Sequence, residues 1–272
     1  MNVAELEEAL IASTGRVRAR VDEIARSGKR EKSLGVGASG DKTILADKVA
    51  EDEILDAIHS LGEISVLSEE AGWVGDPGSK VLAIVDPLDG SSNFERGIPF
   101  YCTSVAVSQG KTLDDVFLAV VRDLVSGAVY VAKKGRGASK DGSKIATSGV
   151  TKVGDAVIGI DLSRASREIV NSLVPLVTSA KRQVHFGANA LEMCYFAEGK
   201  IDAFVDLRGR IRISDLAAAY LIAEEAGASI TDHLGRPLSP EFDLGRGFSI
   251  IASANPGLHK EILELCRPDG GR

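Results

Sequence analysis

Apolar residues recur at helical spacing along the first part of the chain. From Val3 to Ile24 they follow one another three, four or seven positions apart, which predicts an amphipathic helix over residues 3 to about 26. The same spacing predicts a second helix from about Ala46 to Leu61. Between the two lies GVGASGDKT, residues 35–43, which we interpret as a surface loop, with closure over a neighbouring site as the alternative.

Short apolar runs bounded by turn residues predict strands in the next segment. These runs lie at residues 64–68, 81–86, 102–110, 116–123 and 127–135. The last three are separated by short turns, which is typical of an antiparallel meander. From about residue 150, strands alternate with helices, which favours a parallel or mixed sheet. We expect an N-terminal α+β half, residues 1–150, and a C-terminal α/β half, residues 151–272, in one compact catalytic unit.

The composition narrows the classes of partner. The net charge of −7 over 272 residues argues against nucleic acid as the main partner, because surfaces that follow phosphate backbones are usually basic. The three cysteines are scattered and lie in apolar stretches, which predicts reduced, buried thiols. The acidic N-terminus does not resemble a signal peptide, and no apolar run reaches membrane-spanning length. We expect a cytoplasmic protein with no membrane contact.

The stretch VDPLDGSSNF, residues 85–94, concentrates oxygen atoms at the end of a predicted strand. Pro87 fixes the backbone between Asp86 and Asp89, and the carbonyl of Leu88 can face the same point. Oxygen ligands without His or Cys are typical of Mg²⁺, Mn²⁺ or Ca²⁺. Gly90 lets the chain turn into a helix whose first amides favour an anion. The stretch predicts a cation site beside a phosphate cradle, rather than a simple aspartate-capped turn.

Other acidic residues can complete this site, although spacing alone does not show that they meet Asp86. Glu69 and Glu70 follow the predicted strand at 64–68, and Asp215 begins a predicted helix.

The sequence motifs of other enzyme and cofactor sites are missing from the chain. The chain has no GxSxG nucleophile elbow, no GxGxxG dinucleotide fingerprint and no histidine pair at metal-ligand spacing.

These motifs, in this order, resemble the inositol monophosphatase family, most closely its archaeal type that also hydrolyses fructose 1,6-bisphosphate. The matching stretches are LSEEAG, DPLDGSSNF and SDLAAAYLIAEEAG, with Ser214 where the family usually has Trp. The resemblance covers nearly the whole chain. It implies a layered αβαβα sandwich and metal-dependent hydrolysis of phosphate esters.

The resemblance also implies residue roles. The implied metal ligands are Glu69, Asp86, Asp89, Asp215 and the carbonyl of Leu88. Asp47, in the helix start ADKVAE, matches the acid that orients the Ser91 hydroxyl, and we expect this pair and Glu69 to position the attacking water. The residues expected to contact substrate are Asp89, Gly90, Ser91, Ser92, Arg182, Gly187, Ala188, Asn189 and Arg208.

Cofactor, substrate and assembly follow from the same resemblance. We expect two or three Mg²⁺ per site, with Mn²⁺ possible, a sugar or polyol phosphate as substrate, and a homodimer. The basic stretch RGRIRIS, residues 208–214, favours a doubly phosphorylated substrate, unless it forms a solvated strand face. Two alternatives stay open: a 3′(2′),5′-bisphosphate nucleotidase, and a regulatory partner that kept the fold and lost activity.

Overall fold

Two large β-sheets, a two-stranded β-sheet and three layers of helices make up the computed structural model of the protein, which describes residues 2–40 and 42–267. The helices of this part of the chain are α1 Val3–Arg26, α2 Leu45–His59, α3 Ser91–Arg96, α4 Arg167–Ser179, α5 Asn189–Ala197, α6 Ile213–Glu225 and α7 Pro256–Leu265. The strands are β1 Ser33–Val36, β2 Lys42–Ile44, β3 Ser65–Ser68, β4 Gly72–Val74, β5 Leu82–Asp89, β6 Cys102–Ser108, β7 Val116–Asp123, β8 Val129–Lys133, β9 Gly137–Lys140, β10 Ser143–Lys144, β11 Val157–Ile160, β12 Arg182–Val184, β13 Ala203–Ile211, β14 Ser229–Thr231 and β15 Phe248–Ser253.

The larger sheet has the strand order β10-β9-β8-β7-β6-β5-β3-β4. Strands β6 to β10 form the predicted antiparallel meander, while β3 and β5 run parallel. The smaller sheet has the order β12-β11-β13-β15-β14. It is mixed, because β11 runs parallel to β12 and β13 whereas β15 runs antiparallel to its neighbours. Both sheet types predicted from the sequence are therefore confirmed.

The layers follow from which faces are apolar. Alternate residues of the larger sheet point to opposite sides, so that Val66 and Val85 join the core beneath α1 and α2 while Leu67 and Ile84 join the other core. Helices α5 and α6 cover that second face, and α5 also contacts β13 of the smaller sheet. Helix α7 packs on β15 and against α4. The predicted αβαβα sandwich is confirmed.

Helix α6 suits the middle of the sandwich because it is apolar on every side. Its residues from Ile213 to Ala223 are all buried, and the run Ala217–Ala219 lets neighbouring elements approach closely. A helix that is hydrophobic all round is stable only when it is enclosed. This burial places Asp215, in the first turn of α6, inside the protein at one end of the middle layer.

The glycine-rich stretch departs from the prediction of a plain loop. β1 and β2 pair antiparallel around it, with a register shift between Ser33 and Gly35. These strands were not predicted, because β1 is exposed throughout and shows no apolar alternation. Asp41, within the stretch, lies outside the described residues.

The two larger sheets are formed by separate stretches of the chain. Strands of the larger sheet span residues 65–144, and strands of the smaller sheet span residues 157–253. The division near residue 150 into two halves of one compact catalytic unit stays a prediction. Across residues 2–40 and 42–267, the helices are all too short or too polar to span a membrane.

Candidate active site

A β-bulge in β5 aligns the two aspartates of the DPLD motif. Asp86 pairs with Ser104 of β6 and Asp89 pairs with Cys102, so three steps along β5 match two steps along β6. In a regular strand, residues three apart point to opposite faces, and one extra residue restores a common face. The Asp86 carboxylate accepts a hydrogen bond from the Leu88 amide at 3.0 Å, and Thr103 Oγ1 donates to the Pro87 carbonyl at 2.7 Å. The bulge is therefore held from both sides.

Three acids from distant parts of the chain meet beside this bulge. One carboxylate oxygen each from Glu69, Asp86 and Asp215 lies within 4.8 Å of the other two. Glu69 follows the end of β3, which runs parallel to β5, so that both strands deliver their carboxylates to the same edge of the sheet. The convergence that spacing could not establish is present in the structure.

Asp89 is tied to the second half of the molecule. Its two carboxylate oxygens accept hydrogen bonds from the backbone amides of Asn189, at 3.2 Å, and Ala190, at 2.7 Å, in the first turn of α5. The Asn189 side-chain amide also donates to Asp215 at 3.2 Å. Helix amides stabilise a carboxylate at this position. The start of α5 therefore joins two of the acids and fixes the larger sheet to the C-terminal half.

Burial and mutual repulsion dominate the electrostatics of the acids. Burial, followed by the charge of Asp215, raises the pKa of Glu69 to about 8 and that of Asp89 to about 7. Burial, followed by the charge of Glu69, raises the pKa of Asp86 well above its ordinary value. Crowded, desolvated carboxylates of this kind favour protonation unless positive charge is brought to them.

Arg212 supplies positive charge from the protein itself. Its guanidinium forms an ion pair with Glu69, and the charge of Arg212 opposes the rise in the pKa of Glu69. The basic stretch at 208–214 is visible in the sequence, but this contact was missed. It was missed because the pairing joins residues 143 positions apart, at the start of α6 and the end of β3.

The turn after the bulge has the shape expected of an anion cradle. Gly90 has φ +88°, and α3 begins directly after it with Ser91, which is half-buried, and Ser92, which is exposed. Ala188 is buried against this turn, and its Cβ would lie 2.9 Å from a Cβ placed on Gly90. The turn is thus open on the side of the cleft and closed on the other.

Asp47 is near this site but does not form the expected interaction. Its carboxylate accepts a hydrogen bond from the Ile44 amide at 2.6 Å, which caps the start of α2. Burial raises the pKa of Asp47 to about 8. Among the described residues no hydrogen bond joins Asp47 to Ser91, so the role of this pair stays a prediction.

Arg208 lies in the cleft wall with its charge already balanced. Its guanidinium forms ion pairs with Asp161 and Asp206, and Nη1 donates to the Ser163 carbonyl at 3.0 Å. It reaches the wall because β13 and β15 lose register between Asp206 and Ile211. The predicted contact between Arg208 and a substrate phosphate would require these hydrogen bonds to rearrange.

Arg182 is not among the residues that line the cleft in the described part of the chain, and its contact with a substrate stays a prediction. Arg182 is exposed at the start of β12 and pairs with Val157 at the start of β11. The cleft is reached at the other end of these parallel strands, where Asp161, His185 and Gly187 lie. The sequence shows the positive charge of Arg182, but it does not show at which end of the sheet the start of β12 lies.

A further set of polar residues lines the same side of the cleft and was missed. His185 Nδ1 lies 3.3 Å from the buried carboxylate of Glu192, and Nε2 lies 3.5 Å from that of Asp161. Glu192 also accepts a hydrogen bond from the Phe186 amide at 2.9 Å. A lone histidine without metal-ligand spacing carries no signal in the sequence, because its partners come from β11 and α5.

The cleft between the halves has a volume of about 770 Å³. Ser92, Gly187, Asn189 and Asp215 line one part of it, and Arg208 and His185 line another. The anchoring of this wall comes from Asn93, whose side-chain amide donates to the carbonyls of Phe100 and Phe186 at 2.8 and 2.7 Å. The residues that line the cleft therefore combine acidic side chains with several arginines.

The donor set fits a hard divalent cation. The acids offer oxygen atoms, and no His or Cys side chain joins Glu69, Asp86 and Asp215 in the cluster formed within residues 2–40 and 42–267. Oxygen-only donors of this kind suit Mg²⁺, Mn²⁺ or Ca²⁺, and their raised pKa values show how much positive charge would stabilise them.

Comparison with known proteins places this arrangement in a family. The model of the inositol monophosphatase family matches residues 2–268. The chain belongs to the inositol monophosphatase family. It is 36% identical over 244 residues to the fructose-1,6-bisphosphatase/inositol-1-monophosphatase of Methanothermobacter thermautotrophicus, with 85% of each chain covered. It is 31% identical over 268 residues to the bifunctional NADP phosphatase/NAD kinase of Methanocaldococcus jannaschii, covering 87% of this chain and 46% of that one.

A solved inositol monophosphatase–fructose 1,6-bisphosphatase shares the fold. It aligns with a TM-score of 0.85 at 32% identity and covers 95% of this chain and 98% of that one. The expected enzyme class, a phosphatase, is confirmed by these relatives. Within this inositol monophosphatase family member, the acidic cluster and the cradle after Gly90 form the candidate active site.

Replacing Gly90 by alanine tests how tightly the cradle is packed. A Cβ at Gly90 would lie 2.9 Å from Ala188 Cβ and 3.0 Å from the Phe100 carbonyl oxygen, in addition to the strain of φ +88°. Gly97 has φ +72° with no atom within 4 Å, so Gly97→Ala should lower the free energy of unfolding by only about 1–2 kcal/mol. We expect Gly90→Ala to lower it by more, as measured by urea denaturation. Equal losses would contradict the packing described.

The position of His185 predicts its titration. The hydrogen bond to Glu192 raises the pKa of His185 above its ordinary value of 6.5. Because the folded-state pKa is the higher one, the stabilisation is complete below about pH 6.5 and is lost as pH rises through the folded pKa. We expect an NMR titration to show the raised pKa, and Glu192→Gln to lower it.

The matching stability measurement compares the same two proteins at two pH values. Glu192→Gln should lose more stability relative to the parent protein at pH 6 than at pH 9, because His185 is charged only at the lower pH. A pKa of His185 that is unchanged in Glu192→Gln would show that Glu192 is not its partner.

Proposed function

We propose that this inositol monophosphatase family member is a Mg²⁺-dependent phosphatase that hydrolyses phosphate monoesters of sugars or polyols, fructose 1,6-bisphosphate and inositol 1-phosphate above all. The observation that carries the proposal is the meeting of Glu69, Asp86 and Asp215 within 4.8 Å, next to the Gly90 turn. The names of the relatives support the choice of substrates. Use of Mn²⁺ and the homodimer expected from the family resemblance stay predictions.

Five residues would hold the cations: Glu69, Asp86, Asp89 and Asp215 by their carboxylates, and Leu88 by its carbonyl. Bound divalent cations would supply charge to neutralise the phosphate and would lower the pKa of a water molecule. Asp86 lies next to Glu69, which follows the end of β3, and Asp89 follows Asp86 beyond the bulge, so Asp86 is placed to serve both sides of the cluster.

The protein's own groups account for the handling of the phosphate. The amides of Gly90, Ser91 and Ser92 would donate hydrogen bonds to the phosphate oxygens, because a helix start presents free N–H groups and a positive dipole. Such fixed donors stabilise the charge that develops as the phosphate ester bond breaks. Glu69, at the edge of the cluster, would orient the attacking water. Gly187 and Asn189 would contact the alcohol part of the substrate from the other wall of the cleft.

The far end of the cleft carries arginines that would suit the second phosphate of a doubly phosphorylated substrate. Arg164 and Arg210 line this end, are exposed, and form no ion pair with any side chain in the described part of the chain. Arg208 is already paired with Asp161 and Asp206, so it is less suited to this role than the sequence predicted. A second phosphate would meet Arg164 and Arg210 about where the cleft opens to solvent.

The catalytic part of the proposal predicts the effect of removing one acid. Asp89→Asn should keep the fold but lower phosphate release by more than about 100-fold, because a lost ligand removes several kcal/mol of charge stabilisation. Release of inorganic phosphate from fructose 1,6-bisphosphate, with and without Mg²⁺, measures this. Chelation of Mg²⁺ should abolish the activity of the parent protein.

Asp202→Asn provides the matched control for Asp89→Asn. Asp202 is as buried as Asp89, at 7% exposure, and accepts hydrogen bonds from Ser148 and Val157 away from the cleft. It should change stability without a comparable loss of turnover. Full activity of Asp89→Asn, or an equal loss in both variants, would refute the assignment.

A comparison of substrates tests the specificity. We expect turnover of fructose 1,6-bisphosphate and inositol 1-phosphate to exceed that of adenosine 3′,5′-bisphosphate and NADP, and Arg210→Gln to raise KM for fructose 1,6-bisphosphate more than for inositol 1-phosphate. Faster release from the nucleotides would favour the nucleotidase alternative. Absence of release from every substrate would favour the regulatory alternative.

A further inference from the structure

Glu51 is a buried carboxylate of α2 that the proposed roles leave unused. It lies one helical turn after Asp47 and is 2% exposed. Its Oε1 accepts hydrogen bonds from the Ser68 hydroxyl at 2.6 Å and from the Ala71 amide at 2.9 Å. Its Oε2 lies 3.4 Å from Lys48 Nζ. A buried charge is stable in such a place only because several donors face it.

The two donors to Oε1 stand on either side of the Glu69–Glu70 turn. Ser68 is the last residue of β3 and Ala71 follows the turn, so one oxygen atom closes the loop from both ends. The backbone between them is also held: Ser39 and Ala38 donate their amides to the carbonyls of Glu69 and Glu70, at 3.0 and 2.9 Å. Glu51 is the side chain in this set that comes from a different layer.

We propose that Glu51 is a positioning residue for the cation site, since it fixes the turn that carries Glu69. This inference rests on the proposed function, because it gives Glu69 the role of a ligand. Charge-assisted hydrogen bonds hold their partners more firmly than neutral ones. With the bonds to Ser68 and Ala71 lost, the turn would keep its strand pairing and the ion pair between Glu69 and Arg212, but it would lose its anchor on α2, and the backbone that carries Glu69 would be less firmly placed.

Residues that fix the position of a metal ligand typically lower the metal affinity 10- to 100-fold when they are replaced. Glu51→Ala should therefore weaken Mn²⁺ binding, followed by electron paramagnetic resonance of free Mn²⁺, by about 10- to 100-fold. Glu51→Gln retains an acceptor at Oε1 and should recover most of this affinity. Ser68→Ala removes one of the two donors and should weaken binding in the same direction by a smaller factor.

Glu225 offers a matched control for a purely structural role. Near the end of α6 it accepts hydrogen bonds from the amides of Gly135 and Gly137, both at 2.6 Å, so it too holds a distant turn. It lies ten residues after Asp215, about 15 Å along the helix. Glu225→Ala should destabilise the fold yet leave Mn²⁺ affinity within about threefold of the parent protein. Equal losses in Glu51→Ala and Glu225→Ala would overturn the proposal.

Hydrogen exchange of the metal-free protein separates this inference from the proposed function. Glu51→Ala should speed amide exchange in residues 68–72, because the Ala71 amide loses its acceptor, whereas Glu225→Ala should not. If the parent protein releases no phosphate with Mg²⁺, the proposed function fails, and exchange still decides whether Glu51 holds the turn. Unchanged exchange at residues 68–72 in Glu51→Ala would overturn the proposal, whatever the affinity.

Discussion

The repulsion between buried carboxylates is the constraint on which the rest of this structure depends. Glu69, Asp86, Asp89 and Asp215 are brought together where water is largely excluded, and burial with their mutual charge raises the pKa of Glu69 to about 8 and of Asp89 to about 7. Without compensation, such a group would relax apart or take up protons. The fold must therefore supply the rigidity that holds the acids in place, and the ligand must supply most of the positive charge.

The rigidity comes from elements that are stable for reasons of their own. The parallel pairing of β3 and β5 sets Glu69 beside Asp86, and the bulge in β5 turns Asp89 to the same side. The buried helix α6 carries Asp215 inward, and the first amides of α5 donate hydrogen bonds to the carboxylate of Asp89. Each acid is thus held by hydrophobic packing elsewhere in its element, so the unfavourable part of the structure is small compared with the two cores that support it.

The sequence predicted the helices and strands from apolar periodicity and the acidic site from a strand followed by DPLDGSSN, whereas the layered sandwich followed from the family resemblance. It could not predict contacts that depend on strand direction or register. Arg182 was placed near the substrate from its charge, yet parallel pairing puts it at the far end of β12. Arg208 was expected to be available, yet Asp161 and Asp206 balance it. His185 belongs to no recognisable sequence motif, because its partners Asp161 and Glu192 lie on separate elements.

The pairing of Arg208 also changes how the cleft must select its substrate. Because two carboxylates neutralise this guanidinium, the wall near the acids presents fixed hydrogen-bonding groups and little net positive charge, which suits the hydroxyls of a sugar or polyol. The unpaired charges of Arg164 and Arg210 lie farther out, among exposed residues. There, solvent screens them, and under the proposed function they would act on a second anionic group by attraction over distance more than by fixed contacts. Selection by the near wall would then be geometric, whereas discrimination between one and two phosphates would depend on charge and should weaken with added salt.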